Sequence, residues 1–399
     1  MATKIGIYIT GLGQSIHNET VEKYTERLRN ELNFTTTGFN YFIKTEKISY
    51  QPEKNSTVVS LFKKDKNDNE ELIYKIYDFQ YHKILTEKFE HYNIFIKNLI
   101  LFSLIIKKTP QITLRFFRKK EFSSPYQTTY AFSILLIISL CVLFLIPACI
   151  DLMTNESIIK NISKLLYHIG YDIDVERIHN YGKYVLSITT LILIFAPQSK
   201  TIITSLATEF SCVDSYIANG EQSQIVLGNL DSLVEYIAEN EPDPEIHFHC
   251  YSFGSILAVD LLFPVAEIPP SDNVQKLTKL LITTGNPYEF INAYYPSFYK
   301  RRSPIMENTI KWMNVYSVSD VFATNYRKDD SRGEAEFGIK NIAILPENIN
   351  YEITSDKSGI IAFFSLNSIK MHKCYWDPST IGQSCMKVLL PKLTSKGFI

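Results

Sequence analysis

From residue 122 to residue 150 the chain carries no charged side chain, and residues 130–150 (YAFSILLIISLCVLFLIPACI) form an apolar run of 21 residues. A helix needs about 20 apolar residues to cross the hydrocarbon core of a bilayer, so this run predicts a membrane-spanning helix. Pro147 is tolerable near its far end, because membrane helices accept proline better than soluble ones. Residues 184–197 (YVLSITTLILIFAP) are apolar up to Gln198, Ser199 and Lys200. Extended through 201–207, they read either as a second crossing that closes a hairpin or as an interfacial segment. Residues 93–106, interrupted by Lys97, read as an amphipathic helix lying on the bilayer or on the rest of the chain. Lys107, Lys108, Arg115, Arg118, Lys119 and Lys120 precede the strongest run, whereas residues 151–183 mix cations with acids. The positive-inside rule then puts the N-terminal side in the cytoplasm. The pattern thus predicts a helical membrane-anchoring insert over 91–205, with the remainder of the protein at the membrane and facing the cytoplasm.

The flanks alternate differently. Residues 4–10 are β-branched and alternating and end at the glycine turn Gly11-Leu12-Gly13, as a strand would. A helix follows, with Asn18 as its cap and Val21, Tyr24, Leu28 and Leu32 on one face. Residues 41–50, 57–62 and 72–79 read as strands, the last two joined by the polar turn KKDKNDNEE. Beyond the insert the pattern gives a helix over 225–237, a strand over 245–251, a helix over 254–263 and strands over 277–284 and 312–318. Strand–helix alternation implies an α/β fold, a mostly parallel sheet with helices on both faces. The expected organisation is one domain split into 1–90 and 206–399 around the insert, with no internal repeat.

Composition narrows the function classes. The 399 residues carry 41 Lys+Arg against 42 Asp+Glu, a formal charge of −1, and 45% are hydrophobic. Such a chain is not disordered, and it lacks the basic bias of a nucleic-acid binder. The six cysteines show neither C-x-x-C nor zinc-like spacing, which suits a reducing compartment. The first dozen residues hold too few apolar side chains for a secretory signal core, so the first strand is expected to begin the folded domain.

The segment HFHCYSFGSILAVDLLF places Ser252 on a sharp turn between a strand and an apolar helix, the context of a nucleophile elbow. Gly254 gives the small residue needed two positions after the serine; Cys250 stands where the G-x-S-x-G pattern has its first glycine. The bland alternative is a serine capping an ordinary helix. A hydrolase of this kind needs an acid and a histidine downstream, in the order Ser…Asp/Glu…His. Asp320 follows the strand in KWMNVYSVSD, and His372 in MHKCYWD is the only histidine after His249. Asp260 and Asp214 are the other candidate acids, but the first sits on the elbow helix and the second precedes the serine. His247 and His249 face one side of the elbow strand without further ligands at metal spacing, so neither a metal nor another cofactor is expected. A dinucleotide reading of the Gly11-Leu12-Gly13 turn fails at Ile16, which occupies the third glycine position.

At these residues the chain resembles the α/β-hydrolase fold, specifically serine esterases and lipases. The resemblance covers residues 4–13 and roughly 214–375 and skips the insert. Residues 281–287 (LITTGNP) look like the strand and turn after the elbow helix, and Trp312, Asn314 and Tyr375 look like lipase-family surroundings of the acid and the histidine. The resemblance implies a Ser252–His372–Asp320 triad, with backbone N–H groups of Phe253 and Leu12 forming the oxyanion hole. The expected function is a membrane-anchored serine hydrolase of carboxylic esters, with lipid or acyl-ester substrates. The competing reading is a catalytically silent hydrolase-like domain serving as a membrane scaffold, effector or signalling protein. Headgroup, acyl chain and oligomeric state are not assigned by the sequence.

Overall fold

A computed structural model describes residues 2–12, 19–90, scattered positions between 92 and 184, and residues 210–218, 220–329, 331–352, 371–377 and 379–399. Eight strands form one sheet in the order β2-β3-β4-β1-β5-β6-β7-β8. They are β1 (Thr3–Ile9), β2 (Asn40–Gln51), β3 (Lys54–Lys64), β4 (Glu70–Asp78), β5 (Pro244–Tyr251), β6 (Thr278–Thr284), β7 (Lys311–Tyr316) and β8 (Glu347–Asn350). β3 pairs antiparallel with both its neighbours and every other pairing is parallel, so the sheet is mixed, with one strand reversed. The two sequence flanks meet at the centre, where β1 runs beside β5 with Ile9 opposite Cys250.

Period-two alternation sorts the side chains into a core on each face. Ile5, Ile7 and Ile9 of β1 and Ile246, Phe248 and Cys250 of β5 face one core, covered by α3 (Glu221–Asn240), α4 (Gly254–Leu262) and α6 (Tyr288–Tyr294). Tyr8 and Tyr251 face the other, covered by α1 (Val21–Thr35) and α7 (Met386–Ser395). Helix α1 is capped by Thr20, whose Oγ1 accepts from the Lys23 amide, and not by Asn18, which lies outside the described residues. Two shorter helices are α2 (His82–Glu90) and α5 (Asp272–Leu277).

The chain leaves β1 through α1 on one face and β5 through α4 on the other. Adjacent strands whose connections diverge in this way open a crevice at their C-terminal ends, where ligands bind in open α/β sheets. α4 approaches that crevice closely: a Cβ on Gly254 would sit 2.2 Å from the Ile9 carbonyl oxygen and 2.7 Å from that of Thr10.

The expected helical membrane insert is corrected. Among the described residues no helix is long and apolar enough to cross a membrane. Most of 91–205, including nearly all of the runs 130–150 and 184–197, lies outside the described residues. Where the segment is described, Leu104 and Leu136 are partly buried against the core that contains α4, whereas Ile96, Leu99, Ile106 and Tyr184 are exposed. Lys108 is buried with its ammonium 3.8 Å from the centre of the Tyr295 ring.

The Gly254 contact is testable. Gly254→Ala is expected to destabilise the fold by about 1–3 kcal/mol or more, the usual cost of overpacking, read as a lower urea midpoint. An unchanged midpoint would mean that α4 does not pack on the end of β1.

Candidate active site

Ser252 occupies the turn between β5 and α4 with φ of 50°, a left-handed conformation that is uncommon for a residue with a side chain. Backbone bonds hold it: the Ser252 amide donates to the Thr284 carbonyl at 2.8 Å, and the Ser252 carbonyl accepts from the Ser255 amide at 3.0 Å. Cys250, in the first-glycine position of the elbow pattern, turns into the α4-side core and is 2% exposed. Burial pushes its thiol well above the ordinary range, so it stays protonated and acts as a small apolar side chain.

The structure brings Ser252, His372 and Asp320 together. Ser252 Oγ lies 2.7 Å from His372 Nε2, and His372 Nδ1 lies 2.8 Å from Asp320 Oδ2. Asp320 is fully buried after β7, and its other oxygen accepts from the Phe322 amide at 2.9 Å. A carboxylate at Nδ1 requires that nitrogen to carry the hydrogen, which leaves Nε2 to accept from the serine hydroxyl. The imidazole is held on both sides, by the Tyr251 ring at 5.7 Å and 21° and by the edge of Phe322 at 5.4 Å and 75°. Tyr251 also donates its hydroxyl to the His372 carbonyl at 2.7 Å.

Gly285 makes this packing possible. Its φ is 59°, and a Cβ there would lie 2.9 Å from Tyr375 Cε2 and 3.3 Å from His372 Cε1. The loop bearing His372 is tied to α1, where Arg27 Nη2 donates to the Asp377 carbonyl and Asn30 Nδ2 to that of Thr380, each at 2.8 Å. Sequence places Tyr251 in the elbow turn and Gly285 in the LITTGNP turn without giving either a role at His372, and it does not single out Arg27 or Asn30. The tyrosine adjoining the elbow serine was a usable signal; the α1 contacts, which span 350 positions, left none.

An apolar pocket opens at Ser252. Leu12 and Phe253 line it beside the serine, with Phe210, Val213, Phe290, Ile291, Tyr295 and Phe322 behind. Phe290 meets Phe210 and Phe322 edge-on, at 5.1 and 5.2 Å. Among the described residues the wall carries no Asp, Glu, Lys or Arg side chain. Tyr295 directs its hydroxyl away to Asp214 at 2.6 Å, which gives that aspartate a structural role. Asp260 is likewise engaged elsewhere, with Arg302 and with the Tyr216 hydroxyl at 2.7 Å.

His247 and His249 lie on the opposite core face in a closed hydrogen-bond chain. Tyr24 Oη is 2.6 Å from His249 Nδ1, Tyr74 Oη is 2.7 Å from His249 Nε2, and Glu245 Oε1 is 2.9 Å from His247 Nε2. Tyr74 Oη also bonds His247 Nδ1, at 2.5 Å. Gly6 makes room for this cluster, since a Cβ there would lie 2.9 Å from Tyr74 Cε1. Among the described residues no group of three or more His, Cys, Asp or Glu side chains is placed to hold a metal ion. No protein-family model matches the chain, and neither does any curated protein or solved structure.

Burial lowers the His249 pKa from 6.5 to about 3, with His247 adding to the effect. Between those values the unfolded chain binds a proton that the folded chain excludes. Stability is therefore expected to fall by up to about 1.4 kcal/mol per pH unit as pH drops below about 6.5. Urea denaturation across this range should show a flatter slope in His249→Gln; equal slopes would contradict the buried neutral imidazole.

Proposed function

We propose that the protein is a serine hydrolase of carboxylic esters, with Ser252 as nucleophile, His372 as general base and Asp320 as the group that orients it. The observation that carries this reading is the continuous chain from Ser252 Oγ through both ring nitrogens of His372 to Asp320. It starts from a left-handed elbow at the crevice between β1 and β5. Three common residue types in this order and geometry are hard to account for as a helix cap, a turn aspartate and a surface histidine arising separately. The resemblance to α/β-hydrolases points the same way.

As Ser252 Oγ attacks the ester carbonyl, its proton passes to His372 Nε2, and Asp320 stabilises the imidazolium through Nδ1. The oxyanion is received by the Phe253 N–H, at the head of α4, and by the Leu12 N–H from the end of β1. Collapse breaks the C–O bond to the alcohol, which takes the proton from Nε2 and departs. A water deprotonated by His372 then attacks the acyl-enzyme, releases the acid and restores the serine. The uncharged, aromatic wall suits a hydrocarbon acyl group, which makes esters of apolar acids, lipid esters among them, the substrate class.

The wild-type protein is expected to hydrolyse p-nitrophenyl esters of apolar acids. Ser252→Ala should lose about four or more orders of magnitude in kcat, and Asp320→Asn a comparable amount. Undiminished hydrolysis by purified Ser252→Ala would remove the assignment. Phe290→Ala should shift kcat/KM toward longer acyl chains; an unchanged chain-length profile would place the acyl group elsewhere.

A further inference from the structure

Tyr375 lies three residues beyond His372 and is fully buried. Its hydroxyl donates to Asp320 Oδ2 at 2.9 Å, the same oxygen that receives His372 Nδ1. The hydroxyl is itself fixed, because the Ser317 amide donates to its oxygen at 3.2 Å. With that lone pair occupied and the carboxylate as the acceptor in reach, the hydroxyl hydrogen has one place to point. Burial and the Asp320 charge hold the phenol well above its ordinary pKa, so it remains a donor across the working range.

We propose that Tyr375 is a positioning residue of the triad, which rests on the hydrolase reading above: by sharing Asp320 Oδ2 with His372 it sets how strongly the carboxylate stabilises the protonated imidazole. A carboxylate oxygen that already accepts one hydrogen bond has less charge to offer a second donor. Removing the tyrosine donor concentrates charge on Oδ2 and favours imidazolium, so His372 becomes harder to keep neutral. The hydroxyl also fixes which way the carboxylate faces, since the Phe322 amide holds one oxygen and Tyr375 the other.

The other titratable groups around the pair are disposed so that this donor matters. Tyr251, on β5, gives its hydroxyl to the His372 carbonyl and not to the carboxylate. Cys374 is buried and, with its thiol pushed up by desolvation and by Asp320, stays neutral. Glu352, beyond β8, is occupied with the Val318 amide at 2.9 Å and lies 3.9 Å from Arg332 Nε. Lys373 is exposed beside His372. Among the described residues, Tyr375 is therefore the one side chain besides His372 that donates to Asp320.

The test is the pH dependence of kcat for p-nitrophenyl butyrate with wild type, Tyr375→Phe and Tyr251→Phe, each checked for folding by circular dichroism and thermal midpoint. Tyr375→Phe should lower kcat about ten-fold or more, as for loss of a hydrogen bond to a charged group. KM should not change, because Tyr375 does not line the acyl pocket. The midpoint of the acid limb should move to higher pH. Tyr251→Phe should lower kcat with the midpoint unmoved. If Tyr375→Phe does not fold, 3-fluorotyrosine placed at 375, a stronger donor, should move the midpoint to lower pH. An unmoved midpoint in a folded Tyr375 variant overturns the proposal while leaving the triad standing. Wild-type hydrolysis no faster than that of Ser252→Ala overturns the hydrolase reading and this proposal with it.

Discussion

The contact between α4 and the end of β1 constrains the rest of the structure. At Gly254 the helix passes so near the Ile9 carbonyl that no side chain fits. The chain must therefore turn from β5 into α4 within Ser252 and Phe253, and the left-handed φ at Ser252 is the conformation that achieves it. A strained elbow costs on the order of 1–3 kcal/mol, offset by burial of α4, all nine of whose residues are buried. The result is a serine held at the rim of the sheet, at the point where the connections of β1 and β5 diverge.

That rim is where the two cores meet, and they contribute different things. The α1 and α7 side supplies the support of His372: Tyr251, Cys374, Tyr375 and Trp376 belong to that core, and Arg27 and Asn30 tie down the loop. The α4 and α6 side supplies Leu12, Phe253, Phe290 and Phe322, which form the pocket. The support of His372 thus comes from one face of the sheet, and the pocket beside Ser252 is built on the other. Fully burying Asp320 would be costly for an unpaired carboxylate; the donors converging on it from His372, Tyr375 and the Phe322 amide offset that cost.

Much of this was legible in the chain because it is local. The alternation in β1, the Val21–Tyr24–Leu28–Leu32 stripe of α1 and the strand–turn–helix around Ser252 all declare themselves within a dozen residues. Ser252, Asp320 and His372 could be named in order, although their meeting in space depends on strand pairings that local pattern does not encode. The strand order, with the first strand at the centre, has the same long-range origin. Helix α7 was hidden by Pro391: Met386, Leu389, Leu390 and Leu393 keep helical spacing and bury, but a proline inside a run normally ends a helix. β8 is four residues long and three of them are polar, so it carries no strand signature. The run over 130–150 predicts a crossing helix from hydrophobicity alone, but nearly all of it lies outside the described residues, among which no helix is long and apolar enough to span.

The central claim is that Ser252 is a nucleophile activated by His372, and the most direct measurement is the mass of the intact protein after exposure to a fluorophosphonate. A single adduct that maps to Ser252 after digestion, and that is absent when His372 is replaced by glutamine, is the predicted result. An unmodified protein, or an adduct mapping to another residue while Ser252 stays free, would contradict it.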